Sequence, residues 1–173
     1  MAGLAYAKPR QWTKTVGATN APERFSRRAV TSMTRVGNVV TVACTAHGLQ
    51  TGDSVRITGA NEAEFNSTFK VTVVNANSFT IECLGQSASS TGTVVLDAQI
   101  FFRRAVLLGK KAARTVNATE VYYGAESTDD SQPFVVQPDG ESKLEAPVGA
   151  KYALEDWYLD PVTAGDGLVM ILT

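Results

Sequence analysis

The sequence predicts an all-β protein, a jelly-roll-like β-sandwich host domain carrying an inserted small β-barrel domain. Three observations carry this reading. Valine and threonine, 20 and 19 of the 173 residues, dominate the composition, and both favour strands. Short β-branched runs recur along the chain, each bounded by clusters of Gly, Asn, Asp or Ser. No proline lies between Pro22 and Pro133, so nothing keeps the runs between them out of a sheet. The one candidate helical turn, Ala112-Ala113-Arg114, is too short to make a helical layer.

Taken in order, residues 1–23 are polar and show no periodicity, which reads as an extended arm or a first strand around residues 13–18. From Gly37 the pattern changes. Residues 38–45 (NVVTVACT), 54–58 (SVRIT), 68–74 (TFKVTVV), 78–83 (SFTIEC) and 92–96 (GTVVL) are strand candidates in a meander or small barrel. Asn75-Ala76-Asn77 makes a tight connection, because Asn tolerates positive φ. A second pattern begins at Ala98. Residues 99–108 (QIFFRRAVLL) read as one long strand, and Gly109-Lys110-Lys111 turns the chain. Further short strands are expected at residues 115–116, 121–124, 134–137, 143–145, 151–154, 157–159 and 168–172, with regular turn spacing that suggests a sandwich.

The composition narrows function. One histidine and two cysteines exclude the common Cys/His zinc frameworks and a disulfide-stapled miniprotein. No stretch approaches the roughly 20 apolar residues of a membrane span. The start, MAGLAYAKPRQWTK, lacks the basic and apolar regions of a signal peptide, so synthesis in a reducing cytoplasm is the default. Cys44 and Cys83 could pair, although that compartment favours buried free thiols. The sequons at Asn66 and Asn117 then carry no glycosylation meaning. The net charge of −1 hides an asymmetry: residues 1–119 hold 14 Lys/Arg against 6 Asp/Glu, and residues 120–173 hold 2 against 11. Either the two halves neutralise each other in one fold, or positive and negative faces meet between molecules.

Chemistry-bearing motifs are sparse. His47 is the only imidazole, and a Ser-His-Asp reading would recruit Ser54 and Asp53, but no G-x-S-x-G elbow accompanies them. A turn histidine bonded to backbone is the favoured role. Gly109-Lys110-Lys111 lacks the G-x-x-x-x-G-K-[ST] frame of a phosphate loop. Asp129-Asp130 and Glu155-Asp156 specify neither a calcium loop nor a carboxylate pair of set geometry, and read as solvated loops. Phe65, Phe69, Phe79, Phe101 and Phe102 sit in apolar strand patterns and read as core rather than as a nucleic-acid platform. No catalytic, cofactor-binding or metal-binding residue is assigned.

Residues 31–97 resemble a known family. The string Gly37-Asn38-Val39-Val40-Thr41-Val42, His47-Gly48-Leu49, Thr51-Gly52-Asp53, Ile57-Thr58-Gly59-Ala60, Phe65-Asn66-Ser67-Thr68-Phe69 and Ser78-Phe79-Thr80 is similar to the small FCCH-like β-domain of bacteriophage virion proteins, named after a domain of ubiquitin-activating enzymes. Ser67 replaces the usual glycine, and Ile81 follows Phe79-Thr80. The later region resembles small virion β-sandwich domains more loosely, through residues 117–124, 132–138 with Gly140-Glu141, 156–160 and 164–168. Arg27-Arg28-Ala29-Val30 recurs as Arg103-Arg104-Ala105-Val106 on either side of the first region; if that region is an insertion, the copies either continue one parent strand or pair as neighbouring strands at the insertion point. The expected organisation is an N-terminal arm over 1–15, a host sandwich of 16–30 plus 98–173, and an inserted FCCH-like domain over 31–97.

The resemblance implies a non-enzymatic virion structural protein, assembled in the bacterial host cytoplasm and located in the virion. A capsid decoration or cement role is the leading expectation. A tail, baseplate or fibre-attachment adaptor is the first alternative. A carbohydrate-binding module, presenting Trp157 and Tyr158 beside acids, is the second. The implied partners are the major capsid protein or another virion protein and further copies of the chain, for which a trimer suits a threefold shell position; no cofactor, nucleic acid or membrane is implied.

Overall fold

Alternation of buried and exposed positions, the mark of strands with one face on a core, recurs through a computed structural model that describes residues 10–16, 23–90, 93–112, 115–119, 121–124 and 134–173. The protein is all-β, with antiparallel sheets throughout, consistent with a β-sandwich; the helical content among the described residues is two single 3-10 turns, Ala63–Phe65 and Leu154–Asp156. Its contacts divide the chain into two units, residues 1–25 with 101–173, and residues 26–100.

In the unit of residues 26–100, Ser32–Val36 and Val39–Ala43 form a hairpin that Ser78–Glu82, Thr72–Asn75 and Ala88–Ser90 extend to five strands. Arg27–Ala29, Val95–Gln99, Ser54–Thr58 and Thr68–Lys70 form a second sheet of four. Met33, Val40, Val42, Phe79 and Ile81 from the first sheet and Val55, Ile57, Leu96 and Ala98 from the second are buried. In hydrogen-bonding terms the small barrel expected here is two sheets joined at two corners, where the chain switches sheets. One corner is Val71, whose N–H donates to Asp53 O at 2.9 Å and whose carbonyl accepts from Gly52 N–H at 2.8 Å. At the other, Val30 N–H donates to Val94 O and Thr31 N–H to Ala43 O. The expected 68–74 strand is therefore two strands, each in a different sheet.

The other unit pairs the two ends of the chain. Arg10–Thr15 runs antiparallel to Gly167–Leu172, which is flanked by Arg104–Leu108 and then Glu141–Glu145. A second sheet orders Phe134–Val136, Val121–Gly124, Tyr158–Pro161 and Glu23–Arg24. Trp12, Ala105, Leu107, Leu168, Met170 and Leu172 from one sheet and Val121, Tyr123, Val136 and Leu159 from the other are buried, and the Tyr123 hydroxyl meets Ser142 Oγ at 2.6 Å.

Four expectations change. The arm placed over 1–15 is a strand from Arg10, because Trp12 needs burial and the Gly167–Leu172 edge needs a partner; residues 1–9 lie outside the described residues. The unit boundaries fall at 25/26 and 100/101 rather than 30/31 and 97/98, since Arg27–Ala29 pairs with Val95–Asp97. The two Arg-Arg-Ala-Val copies neither pair nor continue one another: Arg27–Ala29 pairs only within its own unit, and Arg104–Leu108 within the other. The single strand expected over 99–108 is broken, and Phe101, expected in the core, is 63% exposed; Phe102 takes the inward position against Tyr152, and alternation sends Phe101 out.

Candidate functional site

The motif residues that invite catalysis assemble into turn architecture. His47 is buried and lies edge-on to Phe79 at 5.3 Å. Its Nδ1 accepts from Leu49 N–H at 3.0 Å, which leaves the proton on Nε2 to donate to Asn75 O at 2.8 Å. Both ring nitrogens are thus committed to backbone, and neither bonds Ser54 or Asp53. The Asn75-Ala76-Asn77 connection supports the same turn: Asn77 Oδ1 accepts from Ala46 N–H, Asn77 O from Cys44 N–H and Ala76 O from His47 N–H. Asp53 Oδ2 closes its own turn on Gln50 N–H at 2.6 Å, and Gly52, at φ +95°, holds the left-handed conformation that turn requires. Together the His-Gly-Leu and Thr-Gly-Asp motifs fasten one end of the unit and pin the Val71 corner.

Buried charges are likewise bonded inside the fold, some to backbone and some to other side chains. Arg35, 2% exposed, donates through Nη2 to Glu64 Oε1 at 2.8 Å, through Nη1 to Leu84 O at 3.2 Å and through Nε to Gln86 O, with its guanidinium 5.0 Å over the Phe65 ring. The Arg35 bond to Glu64, more than any other contact, holds Glu64's carboxyl below its ordinary value. Asp97, 1% exposed, accepts from Arg27 Nε at 3.2 Å and Nη2 at 3.0 Å and from Ser26 Oγ at 3.3 Å. In the other unit, Asp166 accepts from the N–H groups of Ala118 and Thr119 and from the Thr119 hydroxyl at 3.1 Å. Asn117 exchanges bonds with the Gly167 backbone at 2.7 and 3.2 Å. A Cβ on Gly167 would lie 1.9 Å from Lys14 O, so only glycine fits where the two terminal strands meet. Sequence named Asn117 and Asp166 within separate motifs; the fold brings them together.

The remaining candidates disperse. Cys44 and Cys83 are buried free thiols, and Cys83 Sγ lies 3.5 Å from Glu64 O. Glu155 and Asp156 sit in a 3-10 turn, Asp129-Asp130 lies outside the described residues, and no group of three metal-ligating side chains occurs among the described residues. Trp157, expected as an exposed platform, is 8% exposed and edge-on to Tyr152 at 5.4 Å, while the Tyr158 hydroxyl accepts from Arg24 Nε at 2.9 Å. Among the described residues no helix is long and apolar enough to cross a membrane. Arg104 pairs with Glu145 and Lys110 with Asp139, so part of the charge asymmetry is neutralised inside one unit. No family model, curated protein or solved structure matches this chain.

Proposed function

We propose that the protein is a non-enzymatic structural component of a bacteriophage virion, acting as a capsid decoration or cement protein on the outer head surface. The observation that carries the reading is His47. The one imidazole of the chain, inside the motif run that resembles virion β-domains, has both nitrogens bonded to backbone and so supports architecture rather than proton transfer. Turn-pinned, side chain-stapled β units suit a protein whose work is to present surfaces. The major capsid protein, or another virion protein, is the proposed partner, with further copies of the chain around a symmetric site. Exposed ion pairs add roughly 0–1 kcal/mol each, so attachment would rest on apolar contact and repetition, with charge setting encounter and orientation.

Copy number tests this. Quantitative mass spectrometry of purified virions is expected to find hundreds of copies per particle. A few copies per particle would move the protein to a tail, baseplate or fibre-attachment adaptor, and absence from the particle would overturn the virion reading.

A further inference from the structure

Each unit carries an exposed apolar patch, and the charges beside the two patches are opposite in sign. In the unit of residues 26–100, Val36 and Val39 pair across the Gly37-Asn38 turn, on the side of the sheet opposite the buried pair Arg35 and Val40. Val36 is 74% exposed and Val39 47%. The chain leaving Ser78–Glu82 then crosses this hairpin tip: Cys83 N–H donates to Asn38 O, and Ala88 pairs with Arg35 on the other flank. Leu84 lies on the crossing and is 78% exposed. Arg35 fixes it there, with Nη1 donating to Leu84 O at 3.2 Å and Nε to Gln86 O, while Gly85, at φ +147°, leaves the guanidinium its room. Single exposed aliphatics are ordinary, but three grouped on a stapled end mark a contact surface. Glu82 is the cross-strand neighbour of Val39, and Glu64 closes on Arg35. Lys70, which shares a groove with Val39 and Glu82, directs its ammonium to Gly52 O at 3.2 Å.

In the other unit, Phe101 is 63% exposed and Val148, in the turn of residues 147–150, is fully exposed. Phe101 and Phe102 pair with Ala153 and Tyr152, and Arg103 O accepts from Ala146 N–H. The turn carrying Val148 therefore lies in the segment opposite Phe102 and Arg103. The charged side chains beside this patch are basic, Arg103 and Lys151, both exposed. Arg103 also lines a groove of about 460 Å³ with Arg104, Glu145, Ala146 and Thr173. The side chains of Glu82, Arg103 and Lys151 have no hydrogen-bond or ion-pair partner among the described residues.

We propose that these patches join copies of the chain head to tail, the Val36, Val39 and Leu84 tip of one copy packing on Phe101 and Val148 of the next, with Glu82 facing Arg103 and Lys151. A second copy is the occupant that the charges select. Tip against tip would set Glu82 against Glu82, and the Phe101 patch against itself would set Arg103 against Arg103, whereas tip against Phe101 patch brings acid to base. Apolar contact supplies the affinity, and the charges set which patch meets which. Because the two patches differ, the contact is heterologous: copies add until their rotation closes a ring. The inference gives surfaces to the self-contact proposed above and does not rest on presence in a virion, since purified protein tests it alone.

Sedimentation velocity of the full-length protein over about a hundredfold concentration range is the test. The weight-average mass is expected to rise with concentration. Val36→Ser with Leu84→Ser removes the tip, and Phe101→Ser with Arg103→Glu removes the receiving patch. Each double variant should weaken association at least tenfold while the thermal midpoint holds, because all four side chains are exposed. Mixed one to one, the two variants should form a dimer and nothing larger, since one intact tip meets one intact patch. If either variant fails to fold, charge reversal decides: Glu82→Lys and Arg103→Glu should each weaken association, and both in one chain should restore it. A wild-type protein that stays monomeric across the range overturns the proposal. So do double variants that associate as well as wild type, a mixture that stays monomeric, or reversals that fail to restore association when combined.

Discussion

The two units reach an all-β architecture by different routes. Every strand of the 26–100 unit comes from one continuous stretch, and its corners are fastened by bonds that stay within that stretch and start from the His-Gly-Leu and Thr-Gly-Asp motifs: Gly52 and Asp53 to Val71, His47 to Leu49 and Asn75. The other unit closes only when Arg10–Thr15 finds Gly167–Leu172 and Glu23–Arg24 finds Tyr158–Pro161. Its staples, Asn117 to Gly167 and Asp166 to Ala118 and Thr119, join segments about fifty residues apart. Closing the first unit requires ordering only its own segment; the second must bring both ends of the chain together before contacts reward the entropy lost.

Fragments should break this comparison most sharply. Residues 26–100 expressed alone are expected to unfold cooperatively in denaturant, since every strand partner is retained. Residues 101–173 alone lose Trp12 and Phe25, whose burial contributes about 1.5–3 kcal/mol each, along with two edge strands, and should show no cooperative transition. A folded 101–173 fragment would refute the account of its closure.

Gly167→Ala comes next in size. The added methyl meets Lys14 O and must push the terminal strands apart, at a cost of roughly 3 kcal/mol. Both tryptophans, Trp12 and Trp157, belong to this unit, so fluorescence should report the loss while amide exchange at Val40 and Val55 stays slow. The mirror-image experiment is His47→Gln, expected to cost about 1–2 kcal/mol in the 26–100 unit alone. There, exchange at Val40 should speed up, tryptophan fluorescence should keep its transition, and incorporation into particles should persist. Loss of a hydrolytic activity in the folded variant would contradict the structural role given to His47.

The smallest effect concerns pH. Because hydrogen bonding from Arg35 lowers the Glu64 pKa from its ordinary 4.5, this carboxylate stabilises the fold above that value, and the contribution disappears as pH falls through the depressed one. The stability of the 26–100 unit should therefore slope downward below pH 4.5, and Glu64→Gln should flatten part of that slope. An unchanged slope would mean that Arg35 holds its loop through the carbonyls of Leu84 and Gln86 alone.

Much of the strand layout was legible because alternation and turn chemistry are local signals. Ser54–Thr58 and Val121–Gly124 fall where the β-branched runs place them; Asn75-Ala76-Asn77 is a tight connection as expected, but without the positive φ expected of its asparagines, since Asn75 Oδ1 accepts from Asn77 N–H at 2.8 Å instead. Ser32–Val36 was hidden, since its two inward positions are Met33 and Arg35 while its other apolar residue, Val36, faces out, so no apolar alternation marks it. Glu23–Arg24 and Ala88–Ser90 carry no apolar run and exist because a neighbouring edge accepts them. Of the candidate site residues, His47 was readable as a turn residue from its glycine neighbours, whereas Trp157's burial depends on Tyr152 and Tyr123, distant in sequence or in another sheet.

By itself the sequence determined the fold class, the turn-forming roles of the His-Gly-Leu and Thr-Gly-Asp motifs, and most strand positions, because backbone preference and period-two alternation act over a few residues. Only the tertiary structure decided that Arg10–Thr15 is a strand rather than an arm, that Phe101 faces outward, and that the Arg-Arg-Ala-Val copies go separate ways. Each of those depends on which backbone edges meet, and pairing energy between distant strands leaves no mark on the local residue pattern.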